Sequence, residues 1–135
     1  MRKTLTILIL AILTISGCKI IDDLKEKRDI HVLVMDYGVG NPNSTFDTQI
    51  VITHDDGSES EASVRSGGGF WTGVDQWNVG TRFQVSVISP DNEGYIIVDI
   101  ECDDCGDASE MENGKVRRRI DLALRNEVVI SFNVK

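Results

Sequence analysis

Residues 82–102 read RFQVSVISPDNEGYIIVDIEC, and the alternation within them decides the fold. Phe83, Val85 and Val87 fall on one face of a first run. Ile96, Val98, Ile100 and Cys102 fall on one face of a second, with Asp99 and Glu101 on the other. A period of two with apolar residues on one side describes a strand that buries one face. Between the runs stands Pro90-Asp91-Asn92-Glu93-Gly94, a set of residues that suits a turn.

The same grammar extends in both directions. Upstream, Ile30, Val32 and Val34 alternate with His31, Leu33 and Met35, and the turn-rich stretch 38–44 follows. Residues 46–53 place Ile50 and Ile52 on one face. Asp56-Gly57 then predicts a tight hairpin, because Gly accepts a positive φ. Residues 59–65 return with Ala62 and Val64 inward, Gly67-Gly68-Gly69 break the pattern, and Phe70-Trp71-Thr72 resume it briefly. Downstream, residues 115–124 put Val116, Ile120, Leu122 and Leu124 on one face with Arg118. Arg117, Arg119 and Asp121 lie opposite, and Val128, Ile130, Phe132 and Val134 alternate to the end. No segment after residue 29 sustains a helical period. Seven or eight strands at spacings of about ten residues predict an all-β fold, an antiparallel immunoglobulin-like β-sandwich over residues 29–135.

The chain ahead of that domain has another character. Met1-Arg2-Lys3 is basic, residues 5–15 are apolar apart from Thr6 and Thr14, and Ser16-Gly17 precede Cys18. This is the layout of a secretory signal, too short to span a bilayer, which takes about 20 apolar residues. Ile15-Ser16-Gly17-Cys18 resembles the bacterial lipobox. That resemblance implies cleavage after residue 17 and acyl chains, palmitate among them, on Cys18, so that the protein is anchored to a membrane without crossing it. Lys19 is not the Asp that resembles the inner-membrane retention signal, which favours the outer membrane of a cell envelope. Residues 18–28 read as a charged tether and residues 1–17 as a signal peptide.

Within 135 residues there is room for one domain. A net charge of −8 argues against a nucleic-acid partner, which requires a basic footprint. The charge is unevenly placed. Between Asp29 and Glu112 the basic residues are Arg65 and Arg82, against seventeen carboxylates; after Asn113 the sign flips with Lys115, Arg117, Arg118, Arg119, Arg125 and Lys135. Pairing of this basic strand with Asp99 and Glu101 on a neighbour is the favoured explanation. A basic ridge that meets lipid headgroups or an acidic partner is the other.

Candidate chemistry is sparse. Cys102-Asp103-Asp104-Cys105 sits among carboxylates, which raise a thiol pKa, so a structural disulfide is preferred to redox work, free thiols or a metal site. The acidic residues of 103–112 do not follow the spacing of an EF-hand loop and read as solvated. Phe70, Trp71 and Trp77 cluster among glycines as a possible ligand-binding group. Trp71 is expected in the core and Trp77 is left open, with a sugar-stacking platform of the two as the competing reading. No nucleophile elbow, phosphate loop or helical His pair is present, so no catalytic residue, cofactor or metal is assigned and no enzyme is expected.

Asp56-Gly57, Gly69-Phe70-Trp71, Val79-Gly80 leading into Phe83-Gln84-Val85-Ser86-Val87, and Gly94 leading into Ile97-Val98-Asp99-Ile100 resemble small envelope β-sandwich domains of the mycobacterial membrane protein S type and similar lipoproteins of the Bacteroides group. The likeness covers under half of the chain, and residues 102–106 replace the turn it would carry there. It implies an accessory domain that works beside a transporter or other envelope assembly through a protein partner. A glycan-binding module that uses Trp71 and Trp77 is the alternative.

Overall fold

A computed structural model of the chain describes residues 26–39, 46–102, 105 and 112–135. The proposed signal peptide, the Cys18 anchor and nearly all of the tether lie outside these residues. The described residues form eight strands and no helix: β1 (Lys27–Gly38), β2 (Thr48–Thr53), β3 (Glu59–Val64), β4 (Phe70–Asn78), β5 (Arg82–Ile88), β6 (Gly94–Cys102), β7 (Lys115–Asp121) and β8 (Glu127–Asn133). They pair antiparallel throughout, in a front sheet of order β4-β1-β6-β7 and a back sheet of order β3-β2-β5-β8. The fold is thus the antiparallel, immunoglobulin-like sandwich that the alternation predicts.

Register explains the core. Val32 stands opposite Ile100 and Val34 opposite Val98, while Ile100 faces Val116 and Ile96 faces Ile120 on β7. In the back sheet Ile50 meets Val87, and Val85 meets Ile130. Because side chains alternate across a strand, each of these rows lies on one face, and the two inner faces close on each other. All of these residues are buried.

The two ends are closed by different chemistry. At one end an aromatic ladder bridges the sheets. His54 stacks on Trp77 at 5.0 Å, Trp77 meets Phe83 edge-on at 5.1 Å, and Phe83 leans on Phe132 at 5.1 Å. At the other end two buried carboxylates lash the crossovers. Asp36 accepts hydrogen bonds from the Gly38 N–H (2.7 Å) and the Thr48 hydroxyl. Asp91 accepts one from the Ser66 hydroxyl, and its N–H donates to Ser89 Oγ at 3.1 Å. Gly38 is required there, because a Cβ would stand 2.1 Å from Asp91 Oδ2 and 2.8 Å from Asp36 Oδ1.

The structure differs from the sequence reading at three places. The brief run at Phe70 is a nine-residue strand, β4, which continues through Gly73, Asp75 and Gln76 to Asn78. It is an edge strand, so its polar residues reach solvent and blur the alternation. Leu124 is not inward: β7 ends at Asp121, and Leu124 is 84% exposed in the turn that follows. Trp77, left open in the sequence, is the buried tryptophan of the core, while Trp71 is half-buried and packs against it.

Candidate interaction surface

The outer face of the front sheet is assembled by register from four strands. Met35 stands between Phe70 on β4 and Ile97 on β6, and Ile97 faces Arg119 on β7. Leu33 stands between Thr72 and Asp99, and Asp99 faces Arg117. Tyr37 faces Tyr95, which faces Asp121. This face therefore carries Leu33, Met35, Tyr37, Phe70, Tyr95 and Ile97 side by side on the solvent side of the sheet. Phe70 is 73% exposed and Tyr37 46%, while Leu33, Met35, Tyr95 and Ile97 are half-buried by one another.

The back sheet is built differently. Its outer rows read Ser63-Gln49-Ile88-Glu127, Glu61-Val51-Ser86-Val129 and Glu59-Thr53-Gln84-Ser131, polar except for Val51, Ile88 and Val129. Antiparallel sheets commonly solvate one face with polar residues, and the back sheet does so. The front sheet instead presents a contiguous apolar and aromatic patch, the kind of surface that marks contact with another molecule.

Charge frames the patch on the β7 side. Arg117 Nε donates to both oxygens of Asp99, at 3.0 and 2.9 Å, and Lys115 Nζ pairs with Glu101 Oε1 at 2.8 Å. The basic strand thus meets its acidic neighbour as the sequence suggests. Asp99 also holds the Arg117 guanidinium above its usual pKa, so this cation is charged at every accessible pH. Arg119 differs. Among the described residues it forms no salt bridge, and its guanidinium lies 4.0 Å from the centre of the Tyr95 ring, which stacks on Tyr37 at 4.8 Å. The attraction of a cation to the face of the ring keeps Arg119 beside the apolar patch.

The residues singled out in the sequence fall in several places. Phe70 belongs to the outer patch. Trp71 is half-buried on the inner side of β4, its ring folded back over Gly73, where a Cβ would lie 2.4 Å from the ring. Trp77 is 4% exposed. The competing reading of Trp71 and Trp77 as one sugar platform fails on Trp77, which is enclosed by His54 and Phe83 and presents no face to a ligand. Cys102 and Cys105 are joined by a disulfide with Cα atoms 5.5 Å apart, both buried at the end of β6. Of the acidic stretch 103–112 only Cys105 and Glu112 are among the described residues, so the expected solvated loop lies outside them.

Sequence reasoning missed Tyr37, Tyr95 and Met35. Their signal was present as apolar residues on the outward phase of β1 and β6, which are central strands whose two faces are both covered or half-covered. Comparison of the chain with protein families, with curated proteins and with solved structures finds no match.

Proposed function

We propose that the protein is a lipid-anchored, non-enzymatic domain of the bacterial cell envelope, held by acyl chains on Cys18 at the outer membrane, and that it acts by binding a protein partner. The observation that carries the binding reading is the contrast between the two sheets: one outer face is polar, and the other gathers Leu33, Met35, Tyr37, Phe70, Tyr95 and Ile97. Aromatic residues and Arg are the groups that dominate protein interfaces. The partner that fits is an envelope protein with apolar side chains over Met35 and Ile97 and a carboxylate opposite Arg119. The anchoring reading rests on the sequence Ile15-Ser16-Gly17-Cys18 behind a basic start and an apolar run.

The test uses the full-length chain in cells. Mass spectrometry of the mature protein is expected to find an acylated Cys18 at the N-terminus; a retained Met1 or an unmodified Cys18 contradicts the anchor. Cross-linking in intact cells, followed by isolation, is expected to yield one partner whose recovery falls at least fivefold in Tyr37→Glu and in Arg119→Glu. Val129→Glu, on the outer face of the back sheet, is expected to leave it unchanged, with all three variants melting as wild type. Equal recovery from all of them, or loss in Val129→Glu alone, overturns the reading.

A further inference from the structure

β4 ends the front sheet, paired with β1 on one side only. The Asp36 N–H donates to the Gly69 carbonyl at 3.0 Å, and the Val79 N–H donates to the Glu26 carbonyl at 2.8 Å. In the β1–β4 register these are the pairs 36↔69 and 26↔79, so they fix the phase of the ladder. Trp71, Gly73, Asp75 and Trp77 direct their backbone groups toward β1. Phe70, Thr72, Val74 and Gln76 direct theirs to the opposite side, where β4 has no neighbouring strand among the described residues.

This edge carries few of the usual guards. It has no Pro and no Lys. Its one device is Asp75, whose Oδ1 accepts the Gln76 N–H at 2.8 Å and so occupies one outward donor. Among the described residues the N–H groups of Phe70, Thr72 and Val74 are left, evenly spaced on the open side. Phe70 and Val74 are also 73% and 63% exposed.

We infer that a second copy of this chain pairs antiparallel along β4, about a two-fold axis through Thr72. Three equally spaced donors map onto themselves only about the central one, so the register is set: Thr72 faces Thr72 of the second copy and Phe70 faces its Val74. Each of the three residues then exchanges both of its backbone bonds. On the outer face the exposed Phe70 and Val74 cover each other, a favourable aromatic and β-branched cross-strand pair. On the inner face Trp71 faces Gly73, which offers no side chain to collide with. Charge agrees with the register. Asp75 falls opposite Gly69 of the second copy, and the Gly69 N–H is bonded to the Arg65 carbonyl at 3.1 Å, which brings Arg65 beside Asp75. Arg65 and Arg82 are the sole basic residues between Asp29 and Glu112.

The result is a continuous eight-stranded front sheet that doubles the apolar outer face. An edge contact of this size lies below the roughly 800 Å² per partner of standard interfaces, so the pairing is reversible. It is a symmetric, isologous contact that closes on itself and does not propagate. It stands on the backbone of β4 and does not depend on the partner assigned to the face.

Cysteine trapping in cells tests the register on the full-length chain. Thr72→Cys places two Cα atoms about 5.5 Å apart across the axis, within disulfide reach. It is expected to give a covalent dimer on a non-reducing gel, at least tenfold more than Gln84→Cys at the centre of the back sheet. Thr72→Pro removes an outward N–H without touching the ladder to β1. In sedimentation of the full-length chain in neutral detergent it is expected to stay monomeric at concentrations where wild type dimerises, and to melt as wild type does. Arg65→Glu is expected to weaken the dimer and Arg65→Glu/Asp75→Lys to restore it. A Thr72→Cys variant that links no more than Gln84→Cys, or wild type and Thr72→Pro that sediment alike, overturns the inference.

Discussion

Trp77 and Trp71 stand six residues apart on one strand and one phase, yet they do different work. Trp77 joins the sheets through His54 and Phe83, while Trp71 folds over Gly73 at the open side. Trp77→Ala removes a fully buried ring and is expected to cost about 3–5 kcal/mol, a large part of the stability of a small domain. Trp71→Ala, which removes a half-buried ring, is expected to cost roughly half as much by the area it covers. Denaturant melts of the two variants check the order; a larger loss for Trp71→Ala contradicts it. The sequence could not make this assignment. Both residues lie among Gly, Asp and Gln, and what separates them is His54, in the β2–β3 turn far along the chain, which the local pattern does not reveal.

Asp56 offers a second test at the same scale. Its carboxylate accepts from the Ser58 hydroxyl and N–H at the hairpin tip, and these bonds lower its pKa below the usual Asp value. A lowered folded-state pKa gives a contribution that is present above the unfolded value and lost as pH falls through the folded one. Ser58→Ala removes the larger cause and is expected to move the Asp56 titration, followed by NMR, upward. An unchanged titration contradicts the assignment.

At the scale of the element, turns and central strands were legible and the edge was not. β5 and β6 read directly from the sequence because each buries one whole side against the other sheet. The β2–β3 hairpin read from Asp56-Gly57, and Gly57 has φ +82° with open space around it. β4 shrank to three residues in the sequence reading because Gly73, Asp75 and Gln76 serve an edge, where burial no longer imposes alternation. The alternation predicts Leu124 inward because the apolar phase of β7 runs on past Asp121 into a turn. Gly94 shows how a turn and a sheet can share one residue: at φ +89° it also sits against β1, where a Cβ would lie 2.3 Å from the Tyr37 carbonyl oxygen. Gly57→Ala is therefore expected to cost only the backbone term of about 1–2 kcal/mol. Gly94→Ala is expected to cost more, because β1 and β6 must separate to admit the methyl group. Melting of the two variants decides this, and equal losses contradict it.

Across the whole molecule, the two sheets divide the labour. Both inner faces are spent on the core. The outer face of the back sheet is mostly polar, with Val51, Ile88 and Val129 scattered on it, and the outer face of the front sheet is apolar, aromatic and framed by the ion pairs of β6 and β7. The sequence displayed the fold through its inward phase, and it displayed the basic strand with its acidic neighbour. It did not display the apolar outer face, because Tyr37, Met35 and Ile97 occupy outward positions that a period-two reading assigns to solvent. Phe70 was singled out, though with the two tryptophans that turn out to lie on the inner phase.

The most direct measurement places a photo-cross-linking residue, one at a time, at Met35 and Tyr95 on the front sheet and at Val51 and Ser86 on the back sheet of the full-length chain, and illuminates intact cells. The account predicts adducts to the same envelope protein from Met35 and Tyr95 and none from Val51 or Ser86. Adducts from the back-sheet positions, or none from the front sheet, would contradict it.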